Sequence, residues 1–549
     1  MGIFKEKGDK MKRFLSIGFI SCTVVLAALL IGFNTVTAEE LAKKQVLTYG
    51  INFGDLGTLD PHLTNVGYVH ILQGMFNSLV RYPVGDMGNV EGIEPDLALK
   101  WDASSDNKVW TFYLRQGVQF HKGYGEFTSE DVKFSFERQK DMPWGGEYKH
   151  IEKIETPEKY TVKFTLKHSD PFFLQKLVNY HGGQIVSKKA VEDLGKKFVT
   201  YPVGTGPFQA DSFSSGDKYV LVRNEKFWKG KPILEKIVYR FMRPVASRTI
   251  AIESGELDMT QGPFQIDWAQ RVEKAGVIVD GMRIGQHEYL CFNMTKPPLE
   301  KKAVRKALAY AICKEGLDEL WGVNHESYHS FVPPYVVGYI PDDQIPEKYI
   351  TSCDPQKAKK LLAEAGYPDG FDMGTIVASP RADEVPAVEV FQDQLKAIGV
   401  KFNISVVDHS GMHKRIRDDV NAMVWYNASR PSATVYLRQW YHSDSIVLKK
   451  TAVTNFSHYG EVDADGDGDI KNNNVDALIE AAERATNQDE YVAIIKQIQM
   501  QLFEDLPCLP MGRDRQPLAR QKWVKLGYEP KSTMVYGYAM TEKTAILKH

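Results

Sequence analysis

Residues 388–406 read VEVFQDQLKAIGVKFNISV, and two periodicities meet there at one glycine. Val388, Phe391, Leu395 and Ile398 recur at helical spacing, and Gly399 stops the run. Phe402, Ile404 and Val406 then alternate with polar residues, as a strand does. The same grammar lies upstream: Asp354 caps a helix, Pro355 fills its first turn, Leu361, Leu362 and Ala365 face inward, and Gly366 ends it. Val304, Leu308, Ala311 and Ile312 form one more stripe in a segment ending near Gly322, and Tyr491, Ile494, Ile495, Ile498 and Leu502 form the last. Strands dominate the first half, where Trp110, Phe112 and Leu114 alternate with polar neighbours, as do Val162, Phe164 and Leu166. Between them Thr128 and Asp131 have capping-box spacing ahead of Val132 and Phe136. Helix followed by strand, recurring, predicts an α/β fold with sheets covered by helices.

A chain of 549 residues exceeds one hydrophobic core, so two or three domains are expected. The formal net charge is −2 and no long basic run occurs, which disfavours a nucleic-acid surface. No phosphate-binding loop and no dinucleotide glycine fingerprint is present, so an energy-driven process would need a partner to hydrolyse ATP. Lys10, Lys12 and Arg13 precede an apolar stretch from Phe14 to Phe33, and Val36-Thr37-Ala38 then offers a small-x-small cleavage site. That order predicts an export signal over 1–38 and a periplasmic mature protein. Retention of the stretch as a membrane anchor, or lipidation at Cys22, are the alternatives. Cleavage would leave Cys291, Cys313, Cys353 and Cys508, whose wide spacing fits neither a dense disulfide framework nor a zinc site, and Cys291 and Cys313, in apolar-periodic segments, read as buried free thiols.

Further blocks carry a resemblance. They include Leu59-Asp60-Pro61, Glu94-Pro95-Asp96-Leu97-Ala98, Trp101, Thr111-Phe112, Leu114-Arg115 and Phe120-His121. Val203-Gly204-Thr205-Gly206-Pro207-Phe208, Phe227-Trp228, Ser254-Gly255-Glu256-Leu257-Asp258 and the run Arg305 to Ile312 follow in order. Together they resemble the family 5 extracellular solute-binding proteins, the oligopeptide, dipeptide and nickel receptors of ABC importers. The resemblance implies a periplasmic-binding-protein type II-like fold, two α/β lobes joined by a two-strand hinge, with an extra domain inserted in lobe one. Carried over, lobe one takes 39–81, 201–286 and 510–549, the inserted domain 82–200, and lobe two 287–509. It implies a monomeric, non-enzymatic receptor that needs no cofactor, closes on a peptide or small solute, and delivers it to permease subunits and their ATPase. A nickel or metal-chelate receptor is the alternative within the family.

Departures bear on the ligand. In the family's peptide receptors a Gly-Trp pair precedes an aspartate that holds the ligand's ammonium group. Here Trp425 follows Val424, and Ala428 stands at the aspartate's place. Arg430 precedes Pro431 where aspartate is common. The resemblance therefore points to Trp425, Tyr426, Asn427 and Arg430 as ligand contacts, with Asn65 from the first lobe. It also points to a ligand not anchored through a free α-amine. Aromatic faces with polar tips suit such a pocket, and core packing is the competing use of Trp425 and Tyr426.

Two metal patterns remain. His325-Glu326-Ser327-Tyr328-His329 matches the zinc-protease spacing, but Gly322 before it and Pro333-Pro334 after it leave no helix to align both imidazoles, so a secreted metalloprotease is disfavoured. Asp463, Asp465, Asp467 and Asp469 with Gly466 match the first half of a calcium loop, while Asn474 replaces the closing glutamate and Asp476 is a substitute. A structural calcium ion and a solvated acidic turn both stay open.

Overall fold

The computed structural model describes residues 40–549 except 64–67, 88–91, 143–144, 179–182, 285–286, 352, 381–383, 429, 431, 448–453, 465–474 and 534–536. Residues 40–43 and 547–549 group apart from Lys44–Ile546, the unit that holds the sheets and the candidate site.

The helix and strand read from residues 388–406 are present, as the second and third elements of a βαβ unit. Strand β1 (Asp372–Ala378) pairs in parallel with β2 (Lys401–Val406), and the intervening helix α1 (Glu384–Lys396) buries Val388, Phe391 and Leu395. Gly399 ends the connection at φ +85°, a left-handed conformation that favours glycine. Asp354 caps the helix Pro355–Glu364 by accepting from the Lys357 amide at 2.9 Å, as expected. The stripe that begins at Val304 is broken in two, into Lys302–Ala311 and Glu315–Trp321. Ile312 turns extended at the break, and Cys313 beside it is tied to Cys353.

The largest sheet is threaded by one thirteen-residue strand, Cys508–Arg520. Its first residues pair antiparallel with His287–Phe292, whose other edge takes Met423–Ala428. Its last residues pair antiparallel with Met259–Gln261 and Ile278–Ile284. Beyond Met259–Gln261 the order continues through Val46–Ile51, Lys236–Phe241, Lys218–Arg223 and Phe208–Ser214. A separate four-stranded antiparallel sheet orders Ala98–Ala103, Val109–Leu114, Thr161–Leu166 and Ile151–Glu158. The helix Ser129–Lys140 covers it, with the Phe136 ring 5.3 Å from Phe164, and its Thr128–Asp131 capping box forms.

Strand alternation divides the core between the two faces of the His287–Phe292 and Met423–Ala428 pair. Leu290, Phe292, Met423 and Trp425 join one apolar cluster with Phe391 and Leu308, and Tyr289, Cys291 and Val424 join another with Trp440, Ile495 and Leu502.

The cysteine reading is corrected. Cys291 and Cys508 lie directly opposite on paired strands, with Cα atoms 4.0 Å apart, and form a disulfide. Cys313 and Cys353 form a second. Partners 217 residues apart are brought together by strand register, which spacing along the chain does not report. Two disulfides suit an oxidising compartment.

Candidate ligand-binding site

Strand Met423–Ala428 sets the geometry of the expected contacts. Period-two alternation sends Trp425 and Tyr426 to opposite faces. The Trp425 indole is buried in the core, its ring 5.3 Å from Phe391. Tyr426 is half-buried on the other face, 5.2 Å from the Phe456 ring, 5.8 Å from His413 and 6.2 Å from Trp440. Asn427 is half-buried and lies opposite Glu288 in the register. Ala428 is buried, and its carbonyl accepts from the Tyr436 hydroxyl at 3.1 Å. Asn65 lies outside the described residues.

Arg430 is fixed in place. Its Nε donates to the Gln439 side-chain oxygen, and its guanidinium lies over the Trp440 ring at 4.9 Å from the centroid. Both partners sit on the helix Ala433–Tyr441, which Ser432 caps through the Val435 amide. Tyr426, Arg430 and Gln439, each half-buried, thus form one aromatic and cationic face backed by the fully buried Trp440, while Trp425 belongs to the packing beneath. Gln439 and Trp440 were not singled out from sequence, although their helix follows Arg430 directly.

A charged network occupies the neighbouring strand ends. Glu288, almost wholly buried, meets His325 Nε2 at 2.9 Å, and Asp318 meets His325 Nδ1 at 2.7 Å. Burial disfavours the imidazolium, yet the two carboxylates outweigh it and hold His325 up at about 9. Glu326 takes Arg513 at 2.8 Å and Arg515 at 3.0 Å; burial opposes its charge, and the two guanidiniums still hold its carboxyl below the usual range. His325 and Glu326 stood out in the sequence only for the zinc-protease spacing, and Glu288, in the run His287–Phe292, was not singled out.

The zinc-protease pattern comes apart here. His325 and Glu326 form a two-residue strand, and His329 Nδ1 faces Asp342 at 2.8 Å, so the two imidazoles serve different carboxylates. Among the described residues no group of three or more His, Cys, Asp or Glu is arranged to hold a metal ion. Of the acidic loop, Asp463 is described, and Asp465, Asp467 and Asp469 lie outside the described residues. Asp476 opens the helix Asp476–Glu483, and its carboxylate accepts from the Ser443 amide at 3.0 Å and from the Ser443 hydroxyl.

The profile described as bacterial extracellular solute-binding proteins, family 5 middle, matches residues 92–446. The chain belongs to this family. Among curated relatives of this solute-binding protein, the heme-binding protein A of Haemophilus influenzae is 26% identical over 500 residues, covering 85% of each chain. A glutathione-binding protein of Salmonella typhimurium is 27% identical over 522 residues, covering 90% of this chain and 94% of the relative. Among solved structures, the binding protein MoaA of A. tumefaciens R10 in complex with mannopinic acid is 34% identical, with a TM-score of 0.81 over 92% of this chain and 100% of that one. The ABC transporter-associated periplasmic binding protein DppA of Helicobacter pylori, in complex with the peptide STSA, is 26% identical with a TM-score of 0.75, over 93% and 99%. The fold is therefore that of the type II-like periplasmic binding proteins, and the protein is a solute-binding component of an ABC importer. Among the described residues no helix is long and apolar enough to cross a membrane.

Proposed function

We propose that this solute-binding protein captures an acidic, peptide-sized solute by closing two lobes over it, without altering it, and presents it to permease subunits and their ATPase. The lobes are 39–81 with 201–286 and 510–549, and 287–509, with 82–200 inserted in the first. The hinge is the strand crossing at His287–Phe292 and Cys508–Arg520. The protein works as a monomer in the periplasm, exported by residues 1–38. Among the described residues no group is arranged to hold a metal ion, and the reading uses none.

One observation carries the ligand class. Ala428 offers no carboxylate for an ammonium group and its carbonyl is taken by Tyr436, while two residues on Arg430 is held over Trp440 by Gln439. A guanidinium so oriented suits a carboxylate, which it can grip through two parallel hydrogen bonds. The 34% identical relative solved with mannopinic acid, an acid by name, supports the same class.

Calorimetry with mannopinic acid, a dipeptide and its N-acetylated form tests this. Binding that survives N-acetylation and falls about tenfold or more on Arg430→Ala is expected. Tight dipeptide binding abolished by N-acetylation and indifferent to Arg430 would overturn it.

A further inference from the structure

Among the described residues, the segment 82–200 meets the opposite lobe of the proposed division around the turn Ser169–Phe172 and at Asn107. Ser169 Oγ donates to the Ala485 carbonyl at 3.2 Å, and Asn107 Nδ2 donates to the Thr486 carbonyl at 3.1 Å. Between them Phe172 lays its ring 4.1 Å from that of Tyr491, in the cluster that also holds Tyr289 and Trp440. The turn is braced from its own side. Buried Asp170 accepts the Phe172 amide at 3.0 Å and pairs with Lys176 at 2.7 Å and His150 at 3.1 Å.

Tyr491 has a second contact that leads to the ligand face. Its hydroxyl accepts from the Thr434 amide at 3.2 Å, in the first turn of Ala433–Tyr441. That helix carries Gln439 and Trp440, the two residues that hold Arg430. A continuous path thus runs from Phe172 through Tyr491 and the helix to the guanidinium, each step in contact.

We infer that the turn Ser169–Phe172 is a latch by which the inserted domain takes part in closing the cleft, and that Phe172 is a positioning residue for Arg430. This rests on the reading of lobe closure above. Phe172 is buried against the other lobe of the proposed division, so any opening of the hinge would expose its ring to water. The apolar contact is small enough to break and re-form when the hinge moves, and its loss frees the base of the ligand helix.

Nitroxide labels at Lys167→Cys and Asp489→Cys, both exposed positions flanking the contact, report it in the mature chain by pulsed electron resonance. A short-distance population is expected that grows with saturating mannopinic acid. Phe172→Ala should lose that population and weaken mannopinic acid binding about tenfold, whereas Phe172→Leu should keep both. Ser169→Ala, which deletes one hydroxyl, should give an intermediate loss with an unchanged fold by circular dichroism. A Phe172→Ala distribution identical to the wild type overturns the latch, as does one short distance that neither ligand nor variant changes. If mannopinic acid does not bind the wild type, the ligand reading falls alone, because the ligand-free distances with and without Phe172→Ala still decide the latch.

Discussion

Two buried cations in this molecule are neutralised in opposite ways. Arg305, fully buried, donates to the backbone carbonyls of Leu299, Glu300, Ala464, Asp505 and Leu506. Asp505 and Leu506 end the helix Gln488–Asp505, whose last carbonyls lack helical partners and carry the negative end of its dipole. His325 is instead gripped by two carboxylates, Glu288 and Asp318. Burial lowers Arg305 to about 10, still charged at neutral pH, whereas the carboxylates raise His325 to about 9. A cage of carbonyls has no charge to lose. A cage of carboxylates makes its cation answerable to pH, and this one stands beside Asn427 and Glu326 at the candidate site.

The most disruptive way to break the comparison is Arg305→Met. The carbonyls stay in place and lose their donors, so destabilisation of about 3–5 kcal/mol is expected from the urea midpoint. Loss should be equal at pH 6 and pH 9, because neither the carbonyls nor Arg305 titrates there. A loss below about 1 kcal/mol would mean that water replaces the guanidinium, and the cage would not be the structural joint described.

Second in size is the pH dependence of His325→Gln. His325 has a folded value above its unfolded value of about 6.5, so its contribution is complete below that pH and is lost as pH rises through about 9. The variant should be less stable than the wild type by on the order of 2 kcal/mol at pH 6, and the gap should shrink toward pH 10. A gap that is flat across this range would show that the imidazole packs there uncharged.

What could be read in advance follows the same division between local and distant. The helix and strand of residues 388–406, the Asp354 cap and the Thr128–Asp131 box were legible because each is set by residues within a few positions of one another. The opposite facing of Trp425 and Tyr426 follows from strand alternation, but no strand was read from the sequence at Met423–Ala428. The disulfide of Cys291 and Cys508, the His325 network and the grip of Gln439 on Arg430 were not legible. The first two depend on which strands become neighbours, and the third on how the helix Ala433–Tyr441 is set against the strand Met423–Ala428. Family resemblance supplied the fold that these local signals could not assemble.

The finest distinction lies inside the carboxylate cage itself. Glu288 is 1% exposed and Asp318 42%, so solvent screens the second far more than the first. Asp318→Asn should therefore cost no more than about 0.5 kcal/mol and move the His325 titration down slightly. Glu288→Gln, isosteric and wholly inside, should move it down further, since burial then opposes the imidazolium with one screened partner left. Nuclear magnetic resonance of the His325 ring protons across pH 6–10 in both variants reads the order directly. If Asp318→Asn produced the larger shift, the hold on His325 would come from the exposed side, and the buried strand residue would be a bystander.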